Sequence, residues 1–144
     1  MFTKQSVAGR VVIGMTIGFI VGIMFILLLP TVGFDLWGMI GMGALIMFVL
    51  MGAMIAFVGQ FDRHPLFDFK MKWWMIGSAF GALFMLMFIL LTYTEVETMM
   101  QSSLISWTGL TSPFWALIDG VIIGLIMSFA ETKIAGKGAQ LPLQ

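Results

Sequence analysis

The sequence predicts an all-α integral membrane protein with four transmembrane helices. Hydrophobic residues make up 60% of the 144 residues and charged residues only 10%, whereas soluble domains carry about 25% charged residues. So few charges could not cover a globule with polar surface, so most of the apolar surface is expected to face lipid. The length suits a single domain, residues 1–144.

Four apolar runs are long enough to cross a bilayer, which requires about 20 helical residues each. Helices are expected because in lipid a helix satisfies its backbone hydrogen bonds within one segment. The first run is long for a signal peptide and no small-x-small cleavage pattern follows it, so we interpret it as a retained span. The runs are residues 11–29, 36–57, 73–92 and 113–130.

Basic residues occur only before the first run, between the second and third, and after the fourth. The other two connections contain Asp35, Glu95 and Glu97 but no Lys or Arg. By the positive-inside rule, we expect a multi-pass protein of the plasma (inner) membrane with both termini in the cytoplasm. The seven basic residues are Lys4, Arg10, Arg63, Lys70, Lys72, Lys133 and Lys137.

The two halves of the chain resemble each other. The segment GMTIG, starting at Gly14, aligns with GSAFG, starting at Gly77, and MFILL recurs at residues 24 and 87 with the same offset of 63. The second and fourth runs match only loosely, around Gly52 and Gly120. These matches favour two tandem related helical hairpins of the same orientation. Chance similarity between apolar segments is an equally weighted alternative.

The second outer connection, residues 93–112, predicts a short helix at the membrane interface. Thr94 and Glu97 have the spacing of a capping box. Apolar residues that recur at helical spacing are typical of an amphipathic interfacial helix, and a plain extramembrane loop is the alternative. These residues are Val96, Met99, Met100, Leu104 and Trp107.

Small residues recur every four positions along the predicted spans. This small-xxx-small spacing lets helix backbones approach closely, so that van der Waals contact drives their association. We expect the small faces to pack inside one four-helix bundle, and contact with another subunit or a second copy is the alternative. The main candidates are Gly14, Gly18, Gly22, Gly77, Gly81, Gly120 and Gly124.

Asp119 is the single charge inside the four runs and the candidate intramembrane functional residue. It lies about 9 Å below the start of its run, at 1.5 Å per residue. A charge at the centre of a membrane helix costs about 2.5–3.5 kcal/mol on insertion scales, so Asp119 should face protein or water. The alternatives to a functional role are a protonated, hydrogen-bonded carboxyl and a carboxylate that reaches a shallow water cavity.

No pattern in the sequence indicates catalysis, a cofactor or a metal site. Without cysteine, disulfides and thiolate chemistry are excluded, and His64 has no evident converging partners. The fifteen methionines could suit Cu(I), but adaptable apolar packing is the expected role. A formal net charge of zero gives no reason to expect nucleic acid as a partner.

Two non-enzymatic functions remain open from the sequence. The favoured one is a structural or accessory subunit whose glycine faces and interfacial helix pack against partners in a membrane complex. The alternative is an oligomeric channel or transporter for a small ion or solute, with Asp119 lining the path. The spans are too poor in polar groups for one chain to build a hydrated path, and the residues match no family pattern closely enough to name one.

Overall fold

Helices make up most of the chain that the structure describes. The computed structural model describes residues 7–61 and 70–136. Four of its helices, with short adjoining turns, are long and apolar enough to cross a membrane, which confirms the predicted all-α fold. In chain order the helices are α1 Val7–Leu28, α2 Met39–Val58, α3 Trp73–Leu91, α4 Tyr93–Met100, α5 Ser103–Ser106 and α6 Ala116–Ala135.

The two ends of the bundle differ in charge. One end, called the basic end, is where α1 and α3 begin and where α2 and α6 finish. The opposite end, called the acidic end, holds α4, α5 and the turn after α1. The charged residues described outside the helix centres are Arg10, Lys70, Lys72, Glu131 and Lys133 at the basic end and Asp35, Glu95, Glu97 and Asp119 at the acidic end.

The long helices differ from the predicted runs mainly at their ends. α1 begins at Val7 and leads into a 3₁₀ turn, Leu29–Val32, which Gly33 ends with a φ of 89°. α6 continues beyond residue 130 to Ala135. The predicted run ends before the charged residues Glu131 and Lys133, whereas a helix continues as long as its backbone hydrogen bonds do. Glu131 therefore belongs to the fourth long helix.

Each half of the chain forms a hairpin whose two helices are in backbone contact. In the first hairpin α1 packs on α2, and in the second α3 packs on α6. A Cβ atom on Gly18 would overlap the carbonyl oxygen of Phe48, and one on Gly124 would overlap that of Gly77. The other glycines singled out from the sequence make similar contacts, Gly14 and Gly22 with α2, and Gly81 and Gly120 between α3 and α6.

The two hairpins have the same helix register. Gly14 lies against Gly52 and the Cβ of Ala56, and Gly77 lies in the same way against Gly124 and the Cβ of Ser128. Gly52 is therefore equivalent to Gly124, not to a position near Gly120 as the loose sequence match suggested. The offset is 63 for the first helices and 72 for the second. The nine additional residues (72 minus 63) lie in the second outer connection, which contains α4 and α5.

The hairpins meet mainly through side chains around a shared core. α1 contacts α6, α3 contacts α2, and α2 contacts α6. Exchanging the two hairpins leaves this set of contacts unchanged, so the halves are related by an approximate two-fold axis along the bundle. The buried residues of the core are Ala44, Met47, Phe48, Met51, Ile55, Ile76, Met85, Phe88, Ile89, Val96, Met100, Ala116 and Met127.

The second outer connection folds as two short helices. α4 begins at Tyr93 with Thr92 as its N-cap, which makes no side-chain capping bond. The predicted capping box of Thr94 and Glu97 is therefore wrong, because Thr94 lies inside the helix.

The apolar residues of this connection do not share one face. Those of α4, namely Val96, Met99 and Met100, are buried, whereas Leu104 and Trp107 are exposed. A turn between α4 and α5 separates the two groups. α4 thus packs over the acidic end of the core, and the residues beyond it remain on the surface.

Candidate functional site

Arg10 extends the glycine face of α1 toward the basic end. It lies one helical turn before Gly14 and only 6% of it is exposed. Its Nη1 donates a hydrogen bond of 2.6 Å to the carbonyl oxygen of Gly136, just beyond α6. A Cβ atom on Gly59 would lie 3.4 Å from its Nη2. The guanidinium group therefore lies where α1 meets the ends of α2 and α6.

Glu131 lies on the small-residue face of α6, one turn beyond Ser128, and only 2% of it is exposed. Its carboxylate and the Arg10 guanidinium interact electrostatically. Even so, Glu131 Oε1 and Arg10 Nε are both buried without a hydrogen-bond partner among the described residues. A buried charged atom left without a partner costs free energy. Each side chain therefore has hydrogen-bonding capacity that the described residues do not use.

A cavity of about 640 Å³ opens beside this charged pair at the basic end. Both hairpins line it, and Lys70 and Lys72 at its edge are exposed. The volume lies within the range of about 300–1,000 Å³ that is usual for small-molecule sites. From the long helices and the C-cap of α2, the lining residues are Arg10, Ile55 and Gly59 of the first hairpin and Trp73, Trp74, Ile76, Ser128, Glu131 and Thr132 of the second.

The other polar groups of the basic-end cavity are hydroxyls and lysines. Ser128 Oγ donates a hydrogen bond to the carbonyl oxygen of Trp73 at 2.7 Å, and Thr132 Oγ1 donates to that of Ser128 at 2.8 Å. Both hydroxyl hydrogens are engaged in these bonds, so each oxygen can only accept a hydrogen bond from a ligand. Three cationic side chains and one carboxylate line the cavity, which favours a ligand with an anionic group.

Asp119 lies at the opposite end of α6, in its first turn, and is exposed. A carboxylate in this position is favoured by the partial positive charge of a helix N-terminus. It lines a second cavity of about 300 Å³, whose other lining residues are apolar. Asp119 and Glu131 are twelve residues apart, or about 18 Å along the helix. The two carboxylates therefore belong to different cavities.

The acidic-end cavity is rich in methionine. Its lining includes Met47, Met85, Met99 and Met100 from three helices. Within residues 7–61 and 70–136, no group of three His, Cys, Asp or Glu side chains is arranged to hold a metal ion. His64 lies outside these described residues. The methionines here form an apolar surface that faces a single carboxylate.

A packed layer separates the two cavities. On α2, Phe48 lines the acidic-end cavity and Ile55 lines the basic-end cavity. Between them lies Met51, which is 1% exposed, and Met127 of α6 is completely buried. Each cavity is thus closed toward the other by apolar side chains contributed by both hairpins.

The sequence interpretation missed Arg10 and Glu131 as site residues. Arg10 was used only for topology, and Glu131 fell one position beyond the predicted span. A signal for both was present, because Arg10 continues the four-residue spacing of Gly14 and Gly18, and Glu131 follows Ser128 by one turn. A charged residue on a face that packs against another helix must be buried.

Comparison with protein-family models, curated proteins and solved structures finds no match for this chain. Function is therefore argued from the geometry of the two cavities and the residues that line them.

Proposed function

We propose that this protein is a small membrane carrier whose two hairpins move against each other around a solute bound between them. The position of the two cavities supports this proposal. One lies at each end of the bundle, both are lined by both hairpins, and a layer of apolar side chains closes each from the other. If one cavity closes while the other deepens through this layer, a site between the hairpins is open to one side at a time, as alternating access requires.

The packing of the helices supports movement of whole hairpins. Within a hairpin, backbone touches backbone at Gly14, Gly18, Gly77 and Gly81, so its two helices form a stiff unit. Between hairpins the contacts run mainly through side chains, many of them methionines and phenylalanines. Methionine is unbranched and adaptable, so such an interface can repack. Parallel repeats that rock as rigid bodies are a known design of transporters.

The carboxylates of α6 give each cavity a polar group. Glu131 lies in the basic-end cavity and Asp119 in the acidic-end cavity. Ionisable residues inside spanning helices commonly mark the paths of substrates or ions. The carrier therefore extends the transport hypothesis drawn from Asp119, with Glu131 and Arg10 as additional binding residues.

We further propose that the protein resides in the plasma membrane with its basic end in the cytoplasm. Reporter fusions test this orientation. We expect a cytoplasmic reporter to be active when fused after Gln144, and a periplasmic reporter to be active when inserted beside Glu97. The reverse pattern would show that the positive-inside rule is broken in this chain.

Distances between spin labels test the carrier directly. The chain contains no cysteine, so labels attach only where cysteines are introduced. In lipid nanodiscs, we expect two populations of distances between hairpins at each end, in opposite proportions at the two ends. Suitable pairs are Thr31→Cys with Glu95→Cys at the acidic end and Phe57→Cys with Lys133→Cys at the basic end.

A pair within the first hairpin serves as the control. Met24→Cys and Met42→Cys lie on exposed positions of α1 and α2 and should give one narrow distance in all conditions. If the pairs between hairpins also give one narrow distance at both ends, the hairpins are fixed and the carrier proposal fails.

A subunit of a larger membrane complex is the second candidate. Large side chains are exposed at the acidic end, where Trp37 is 65% and Trp107 is 80% exposed. Aromatic residues of this kind are enriched in protein interfaces. However, the glycine faces that first favoured this function contact helices of the same chain. Mass determination after purification in mild detergent distinguishes a hetero-complex from the chain alone.

A further inference from the structure

Two buried side chains, one basic and one acidic, line the basic-end cavity, and each has a hydrogen-bonding atom that no described residue uses. Arg10 is 6% exposed and Glu131 is 2% exposed, and both line the cavity. Arg10 Nη1 donates to the carbonyl oxygen of Gly136, whereas Arg10 Nε and Glu131 Oε1 have no hydrogen-bond partner within residues 7–61 and 70–136. A ligand that bonds to both atoms must accept a hydrogen bond from Arg10 Nε and donate one to Glu131 Oε1.

The charges of the cavity define the ligand more narrowly. Lys70, Lys72 and Arg10 all line it, so an acidic oxygen group is attracted to the cavity. A simple anion would satisfy Arg10 but leave Glu131 without a donor. A simple cation would satisfy Glu131 but be repelled by the three basic side chains.

We propose that the basic-end cavity binds a zwitterion with an acidic group and a primary ammonium a few bonds apart. The acidic group accepts from Arg10 Nε, and the ammonium donates to Glu131 Oε1. The proposal deepens the carrier function and rests on it for the meaning of the site, but binding can be measured without transport.

Two sources could supply this chemistry. One is a free solute, and the other is the headgroup of phosphatidylethanolamine, which joins a phosphate to a primary ammonium. Both contain N–H donors that a choline group lacks, because its nitrogen is fully methylated. Comparing ethanolamine with choline compounds therefore tests the bond to Glu131 while the acidic group stays the same.

The experiment uses the full chain purified in mild detergent and titrated by calorimetry. The probes are phosphoethanolamine and phosphocholine, together with β-alanine and its N-trimethyl analogue. We expect each primary ammonium compound to bind about tenfold or more tightly than its methylated partner, since a hydrogen bond to a charged group is gained. In parallel, the melting temperature is compared in nanodiscs of phosphatidylethanolamine and of phosphatidylcholine.

Variants assign the effect to the two buried residues. Glu131→Gln should reduce the preference for the primary ammonium, because the amide oxygen still accepts a hydrogen bond but carries no charge, and Arg10→Gln should weaken both members of each pair. Lys133→Gln, on an exposed position of α6, should leave binding unchanged. The comparison of ligands on the unaltered protein remains valid even if a cavity variant fails to fold.

Each outcome decides the proposal. Preferential binding of the soluble primary ammonium compounds supports a free solute. Stabilisation confined to phosphatidylethanolamine nanodiscs supports the lipid headgroup. Equal binding of methylated and unmethylated compounds, or no binding and no lipid preference, overturns the proposal and leaves water as the partner of both atoms. Failure of the spin-label test alone would instead leave a binding site in a protein that does not transport.

Discussion

Removing either Arg10 or Glu131 alone is expected to destabilise the protein much more than removing both. Arg10→Leu leaves a carboxylate without its compensating charge at a position that is 2% exposed, and Glu131→Leu leaves a guanidinium at one that is 6% exposed. Breaking a buried charge pair in this way costs about 3–5 kcal/mol, whereas replacing both members by apolar residues is often neutral. We expect the double variant to recover most of the lost free energy of unfolding.

Unfolding of all three variants in mild detergent measures this difference as a double-mutant cycle. Lys133→Leu provides the control, because Lys133 is basic, exposed and on the same helix as Glu131. If the effects of Arg10→Leu and Glu131→Leu simply add in the double variant, the two charges do not stabilise each other. Arg10 and Glu131 would then act independently and would not belong to one binding site.

Gly18→Leu and Gly124→Leu are each expected to disrupt the fold of one hairpin. At both positions a Cβ atom would overlap a backbone carbonyl oxygen of the facing helix, that of Phe48 or that of Gly77. Overpacking commonly costs about 1–3 kcal/mol and occasionally more. Here the larger value is expected, because a backbone cannot rotate away as a side chain can. Thermal unfolding and particle mass in detergent report the result.

Gly43→Leu is the matched control for these substitutions. Gly43 lies in α2, and a Cβ atom there would meet nothing within 4 Å. It should leave both stability and mass unchanged. Unchanged stability of Gly18→Leu and Gly124→Leu would contradict the close helix contacts. A loss of mass with normal stability of the remaining chain would instead place these glycines at a contact between subunits.

The fold was largely predictable because lipid imposes a simple rule on sequence. Long apolar runs, the fourth of them containing Asp119, identified all four long helices, and the four-residue spacing of Gly14 and Gly18 identified a face that packs closely. These features depend on composition and helix periodicity alone. The register of the second helices was not predictable, because the equivalence of Gly52 and Gly124 follows only from their contacts. Gly52 lies against Gly14, and Gly124 lies against Gly77.

The site was much less predictable, because it forms where distant segments meet. Arg10 and Glu131 are 121 positions apart (131 minus 10), and no local pattern joins them. Apolar counting excluded Glu131 from its helix, and the topology rule treated Arg10 as a flanking charge. Asp119 attracted notice because it interrupts an apolar run, yet its cavity holds no second charged side chain among the lining residues.

The shared register of the hairpins shows which residues correspond to the charged pair in the other half of the chain, and neither of them is charged. Adding the offset of 63 to Arg10 leads to Trp73, and subtracting 72 from Glu131 leads to Gly59. A pair of identical hairpins would repeat the Arg10 and Glu131 positions in both halves and could hold two ligands. In this chain the equivalent positions hold Trp73 and Gly59, which line the same basic-end cavity, so the cavity has one guanidinium and one carboxyl group instead of two of each. Its expected stoichiometry is one ligand per chain.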